Sequence, residues 1–252
     1  MLSRPIPIRP NYFRNDGTNS ANLLTALTET IEIPNEVGVI TLKECVLFPQ
    51  AIMPLYIFEP RYRQMLRDVL ADERLFAVAC LDEAARSQAD DEPPCRIACV
   101  GMVRACKQNE DGTSNLILQG LSRVRVLQTL SDQPYRRIAV TAVPTEVDLS
   151  AKEIDEARRI TLQLVESLHR LGAKLPAELI EFLRKVELFE PMLDLSIYAL
   201  CNSSVDKQRL LSALSLRQRC HIFKTHLEQQ LEELKLMRKL KGNLGDKDIP
   251  FN

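Results

Sequence analysis

The hydrophobic periodicity of this 252-residue sequence changes at about Pro144. Before this residue, short apolar runs separated by turn residues predict β-strands, whereas after it apolar residues recur every three or four positions, as in amphipathic helices. One helix is predicted within the strand region, because Pro60 suits a first helical turn and Tyr62 and Met65 follow at helical spacing. The periodicity therefore predicts an α+β fold, with a β-rich body and one inserted helix before an all-helical part.

Seven strands are predicted in the β-rich body, and Asp111-Gly112 is a typical hairpin turn between two of them. The predicted strands cover residues 37–42, 51–58, 75–81, 95–107, 115–121, 123–130 and 135–143. In the helical part, Ser150 and Glu153 have the spacing of a capping box, and Gly172 is a typical helix stop. Further helices are predicted from Pro176 and over residues 191–201, 205–214 and 216–241, with Gly242 and Gly245 ending the last one.

These patterns divide the chain into four segments. We predict a flexible lead over residues 1–35 with a short helix near 23–27, a β-rich part over 36–146, a helical part over 147–245 and a tail over 246–252. The apolar stripe of the last helix needs a partner surface. Either the rest of the chain or a second copy in a homo-oligomer satisfies this need.

Composition and charge exclude several classes of protein. With 33 basic and 34 acidic residues the net charge is -1, so no chain-wide field attracts nucleic acid or an anionic membrane. The 7 cysteines are an odd number scattered through apolar stretches, which favours reduced thiols and a cytoplasmic location. We find no signal peptide and no apolar run long enough to span a membrane.

The patterns that accompany enzyme and cofactor sites are missing from the sequence. No glycine pattern forms a phosphate-binding loop or a dinucleotide-binding turn, and no Gly-x-Ser-x-Gly elbow occurs. Cys95 and Cys99 have no second ligand pair for zinc, and acidic pairs such as Asp90-Asp91 are interpreted as solvated. We therefore expect no catalytic activity, no metal and no cofactor.

The most informative segment covers residues 47–65. Pro49 and Pro54 remove backbone donors, so they belong at a bend or a sheet edge, and Tyr56 and Phe58 should share one face of a strand. The segment therefore reads as strand, bend, strand and then a helix that begins with Pro60.

The run Leu47-Phe48-Pro49-Gln50, followed by Pro54-Leu55-Tyr56-Ile57-Phe58-Glu59-Pro60-Arg61-Tyr62, resembles the opening signature of the LON domain. This is the N-terminal substrate-recognition domain of Lon-type ATP-dependent proteases and of related bacterial proteins. The sequence departs from that pattern at Gln50, where glycine is common, and at Met53, where leucine is. A second similarity includes Gly120 and Arg123, and the resemblance covers about residues 36–241. It implies a PUA-like pseudo-β-barrel followed by a helical bundle that ends in a long helix.

The resemblance also implies a function. We expect a stand-alone, non-catalytic module without ATPase or peptidase that binds unfolded or partner protein segments, as a substrate adaptor in protein quality control beside a separate protease or ATPase. The expected binding residues are Met53, Tyr56, Phe58, Glu59, Arg61 and Tyr62. The alternative for each residue is that it only fixes the strand-to-helix corner. The alternative function is nucleic-acid binding through the basic residues of the last helices, which acidic residues interrupt.

Overall fold

The computed structural model describes residues 32–88, 90–131 and 133–244. The predicted short helix near residues 23–27, most of the predicted lead and the predicted tail lie outside these residues. The secondary structure consists of β1 (Glu36–Leu42), β2 (Ile52–Ile57), α1 (Pro60–Leu70), β3 (Leu75–Cys80), β4 (Ile97–Gln108), β5 (Ser114–Ser131), β6 (Arg137–Ala142), α2 (Ala151–Arg170), α3 (Ala177–Lys185), α4 (Phe189–Leu200), α5 (Ser204–Ser212) and α6 (Leu216–Leu244).

The described strands form one sheet in the order β2-β5-β4-β3-β1-β6. Strand β6 also pairs with β5, so five strands close a circuit and β2 lies outside it. The pairing of β1 with β3 is parallel, and the other pairings are antiparallel. The closed but irregular circuit, with α1 inserted and the helices following, confirms the predicted pseudo-β-barrel and helical bundle.

Strand β5 replaces two predicted strands. The predicted break between residues 121 and 123 is wrong, because β5 continues through it as one strand of 18 residues. Gly120 allows another segment to approach the strand: a Cβ atom there would lie 2.0 Å from the carbonyl oxygen of Phe48. Gly120 also exchanges backbone hydrogen bonds with Gln50 N–H (2.8 Å) and the Ala51 carbonyl (2.9 Å). The glycine therefore marks a close contact within a strand and not a turn.

The local signals in the helical part and the hairpin agree with the structure. Ser150 and Glu153 form the capping box of α2, Gly172 follows the helix with φ of 93°, and Gly112 has φ of 77° in the hairpin turn. Helix α6 continues past Gly242 to Leu244, so the predicted stop at Gly242 is wrong. One helical glycine costs about 1 kcal/mol but leaves the backbone hydrogen bonds intact.

The apolar stripe of α6 packs mainly inside the chain. Helix α6 contacts α2, and Phe223 and Leu227 are fully buried in a hydrophobic cluster that also includes residues of the sheet. Leu234 is partly buried against this cluster, whereas Met237 and the stripe beyond it are exposed. The sheet and the helices thus share one core.

Three buried charged residues join the sheet to the helices. Asp194 of α4 accepts hydrogen bonds from Nη2 of Arg123 on β5 (2.6 Å) and from Nη1 of Arg219 on α6 (3.1 Å). All three side chains are at most 3% exposed, and the half-buried Glu190 also contacts both arginines. Burial raises the pKa of Asp194, while the two guanidinium groups lower it.

The remaining donors of the two arginines are directed to backbone and hydroxyl groups. Arg123 Nε donates to the Leu211 carbonyl, and Arg219 donates to the Ala213 carbonyl and to Thr145 Oγ1. A buried charge cluster is tolerated only when its hydrogen bonds are satisfied in this way. The cluster therefore fixes α4 and α6 against β5.

Replacing Asp194 with asparagine should destabilise the fold strongly. The change removes the one fully buried carboxylate and leaves the two guanidinium groups with only the partly exposed Glu190 as an anionic partner, which costs about 3–5 kcal/mol. Glu190→Gln is the matched control, and because Glu190 is half-exposed we expect a loss of about 1 kcal/mol or less. Urea unfolding, monitored by circular dichroism, measures the free energy of unfolding of both variants. Equal losses in the two variants would contradict the central role of Asp194.

Replacing Gln50 with glycine should stabilise the fold. Gln50 has φ of 66°, in the left-handed region that costs a residue with a side chain about 1–2 kcal/mol. After the greater chain entropy of glycine is subtracted, we expect a gain of up to about 1 kcal/mol. Gln50→Ala is the control, because it shortens the side chain and keeps the backbone strain. The same urea experiment tests this, and a glycine variant no more stable than the alanine variant would show that the strain is absent.

Candidate functional site

The segment from β2 to the first turn of α1 contains all six residues predicted to bind a partner. Strand β2 lies at the end of the sheet and, among the described strands, pairs only with β5. The Ala51 carbonyl accepts from Gly120 of β5, whereas the Ile52 carbonyl accepts from the hydroxyl of Tyr198 on α4 (3.4 Å). Along a strand, the N–H and C=O groups of successive residues point to alternate sides. The backbone groups of the even-numbered residues of β2 therefore point to its open edge. Pro54 is one of these residues, and its missing N–H costs no hydrogen bond there.

The outer face of β2 and the residue that directly follows the strand carry an exposed aromatic pair. The rings of Tyr56 and Phe58 stack with centroids 5.9 Å apart and an angle of 25° between their planes, and each side chain is 48% exposed. Pro54 lies on the same face and pairs across the sheet with Ile117 of β5, which is 36% exposed. We call Pro54, Tyr56, Phe58 and Ile117 the aromatic patch. It confirms that Tyr56 and Phe58 share one face.

An ionic bracket follows the aromatic patch. Arg61 Nε donates to Glu59 (2.9 Å), and its two terminal nitrogens donate to the two carboxylate oxygens of Glu92 (2.7 and 2.8 Å). The hydrogen bonds from Arg61 lower the pKa of Glu92, and the same bonds raise the pKa of Arg61. This paired geometry holds the guanidinium plane in one orientation. We call Glu59, Arg61 and Glu92 the ionic bracket.

The loop that supplies Glu92 is held at a second point. Arg136 donates to the backbone carbonyl of Glu92 and to the carboxylate of Asp90 (2.9 Å). Asp90 is therefore an ion-pair partner, which corrects its interpretation as a merely solvated residue. Arg61, Glu92 and Arg136 line one open cleft of about 670 Å³, together with residues of α1 such as Arg67. Its lining carries both signs of charge, so it suits polar segments better than one strongly charged ligand.

The structure separates the six predicted residues into two groups. Met53 is 4% exposed and contacts the Cys45 thiol through its sulfur (3.8 Å), so it belongs to the core. Tyr62 is 6% exposed, lies under the Arg61 guanidinium (4.6 Å to the ring centroid), and burial raises its pKa to about 12. The burial of these two residues agrees with the alternative interpretation, in which they only fix the strand-to-helix corner. Tyr56, Phe58, Glu59 and Arg61 remain available to a partner.

Sequence reasoning missed the residues that adjoin the segment from elsewhere in the chain. Glu92 follows the Asp90-Asp91 pair, and no local pattern indicates that it meets Arg61, 31 positions away. Ile117 joins the aromatic patch through strand pairing alone. Within the described ranges, no group of three or more His, Cys, Asp or Glu side chains is placed to hold a metal ion. None of the described helices has the length and apolar character needed to cross a membrane.

Comparison with known proteins places this arrangement in a family. The Lon protease of Dictyoglomus thermophilum is 24% identical over 220 residues, which cover 86% of this chain and 27% of the relative. Lon protease 2 of Myxococcus xanthus is 26% identical over 214 residues, covering 83% of this chain and 25% of the relative. The chain thus spans about a quarter of the length of these relatives.

A solved structure supports the same fold. The N-terminal domain of a Mycobacterium avium complex Lon protease superimposes with a TM-score of 0.60 at 17% identity, covering 78% of this chain and 98% of that one. Residues 36–229 match the family described as the ATP-dependent protease La (LON) substrate-binding domain. The match includes the whole sheet and the helices up to the middle of α6. This chain therefore belongs to the family of LON substrate-binding domains.

Proposed function

We propose that this chain binds exposed apolar segments of unfolded or partner proteins through the aromatic patch. The observation that carries the proposal is the stacked, half-exposed pair formed by Tyr56 on the outer face of β2 and Phe58 directly after the strand. Large aromatic side chains supply most of the energy at many protein interfaces, and a contiguous apolar surface on a folded protein commonly marks a binding site. The family to which the chain belongs supports the same function.

The partner segment is captured by side chains and not by addition of a strand. An added strand would need backbone donors and acceptors along the open edge of β2, but Pro54 has no N–H and the Ile52 carbonyl already accepts from Tyr198. The face of β2 presents its aromatic rings without these restrictions. Because side-chain capture does not require an extended partner, it suits segments of varied sequence and conformation.

The ionic bracket forms the polar border of the patch. Glu59 follows Phe58 directly, and Arg61 is held by two carboxylates. A polar border around an apolar centre is the usual anatomy of a protein interface. Polar residues that flank an apolar segment of the partner would therefore lie over the adjoining cleft.

We further propose that the chain acts as a non-catalytic, cytoplasmic substrate adaptor that serves a protease or ATPase. The relatives named Lon protease support this role, since the matched region is the substrate-binding domain. Nucleic-acid binding has less support, because basic residues of α6 are paired with acids, as in Lys224 with Glu228 and Lys235 with Glu232. Such pairs leave little positive potential for phosphates.

Removing both aromatic rings should weaken binding of an unfolded protein. The probe is fluorescein-labelled, reduced and carboxymethylated α-lactalbumin, and fluorescence anisotropy measures its dissociation constant. If each ring contributes about 1–2 kcal/mol, Tyr56→Ala with Phe58→Ala should raise this constant about 30- to 1,000-fold.

Phe182→Ala is the matched control for this experiment. Phe182 lies on α3 in the helical part and is 45% exposed, close to the value for Phe58. We expect unchanged affinity in this variant, and circular dichroism verifies that all variants are folded. Equal affinities in the double variant and in the control would refute the aromatic patch as the binding surface.

A further inference from the structure

Cys80 and Cys95 face each other at the base of the loop that carries Glu92. Cys80 ends β3, and Leu81 forms an antiparallel bridge with Pro94. Cys95 N–H donates to the Cys80 carbonyl (2.8 Å), and Asp82 N–H donates to the Pro93 carbonyl (2.8 Å), so the two cysteines form a cross-strand pair. The Cα atoms of such a pair are roughly 5.5 Å apart, which lies within the range that a disulfide bridges.

The surroundings of Cys80 favour its thiolate form. Interaction with the Cys95 thiol lowers the pKa of Cys80 most, nearby backbone N–H groups such as those of Glu44 and Cys45 lower it further, and burial opposes both effects.

The cysteines differ in their tendency to form a thiolate. The hydrogen bond from Cys95 and the backbone donors lower the pKa of Cys80 to about 7, whereas burial raises the pKa of Cys45 and of Cys220 to about 11. Cys95 is half-buried and packs against the hydrophobic core cluster, which includes Cys80. Cys80 is therefore suited to act as the nucleophile and Cys95 as the second thiol.

We propose that Cys80 and Cys95 are a modification site that a hydroperoxide converts reversibly to a disulfide. The Cys80 thiolate attacks one oxygen of the hydroperoxide, the O–O bond breaks, and the leaving oxygen is protonated to an alcohol or water. Cys80 is then a sulfenic acid. The Cys95 sulfur attacks the Cys80 sulfur, the S–O bond breaks, and the departing hydroxide takes the Cys95 proton as water. Two thiols thus lose two electrons, which reduce one hydroperoxide.

The disulfide would close the loop of residues 81–94 at its base. This loop holds Glu92 against Arg61 and Asp90 against Arg136. A covalent link at the base restricts the loop relative to α1 and therefore stiffens the ionic bracket. A dithiol reductant would restore its freedom.

Trypsin provides a direct assay, because Arg74, Arg86 and Arg96 separate the two cysteines into peptides 75–86 and 87–96 with one cysteine each. The full chain is treated with hydrogen peroxide, blocked with iodoacetamide, digested without reductant and measured by mass spectrometry. We expect the linked pair of peptides to appear, and dithiothreitol to remove it. The Cys80 thiol should be lost at least about ten times faster than the Cys201 and Cys220 thiols, because thiolate is the reacting form.

Two variants assign the order of the steps. In Cys95→Ser the sulfenic acid at Cys80 should persist and react with dimedone, whereas Cys80→Ser should give neither the adduct nor the linked peptides. A link from Cys80 to Cys45, a link between two chains on a non-reducing gel, or survival of the Cys80 thiol in the folded wild-type chain would each overturn the proposal.

Discussion

One buried carboxylate, shared between two arginines, holds the helices of this protein on its sheet. Asp194 lies on α4, Arg123 on β5 and Arg219 on α6, and all three are almost completely buried. Such a cluster gains little over apolar packing, but it specifies geometry, because each guanidinium group must meet both the carboxylate and a backbone carbonyl.

The position of α4 in turn decides which part of β2 is exposed. Asp194 and Tyr198 are one helical turn apart and lie on one side of α4. The hydroxyl of Tyr198 covers the open edge of β2 at Ile52, and Lys207 packs over the Tyr198 ring (4.7 Å). The exposed part of β2 therefore starts beyond Ile52 with Pro54 and Tyr56, and Phe58 follows directly after the strand. A charge cluster in the core thus delimits the candidate binding surface.

Residues 47–65 contribute both to the hydrophobic core and to the exposed surface. Phe48 is fully buried, Gln50 adopts a left-handed backbone, and both meet Gly120 of β5. The same alternation that buries Met53 and Ile57 exposes Tyr56. The motif therefore contains core residues and surface residues in alternation. Recognising the motif in the sequence does not show which of its residues are buried and which are exposed.

The sequence by itself determined the features that depend on neighbouring residues. The change from strands to helices near Pro144, the capping box at Ser150 and the hairpin at Gly112 all follow from local hydrogen bonding and periodicity, and the motif at residues 47–65 identified the family. Only the tertiary structure decided that Gly120 lies inside a strand, that Tyr62 is buried while Tyr56 is exposed, and that Arg61 meets Glu92. It also paired Cys80 with Cys95 and placed Asp194 between two arginines. These contacts join residues 15 to 71 positions apart, and their energies depend on burial and distance, which no local pattern encodes.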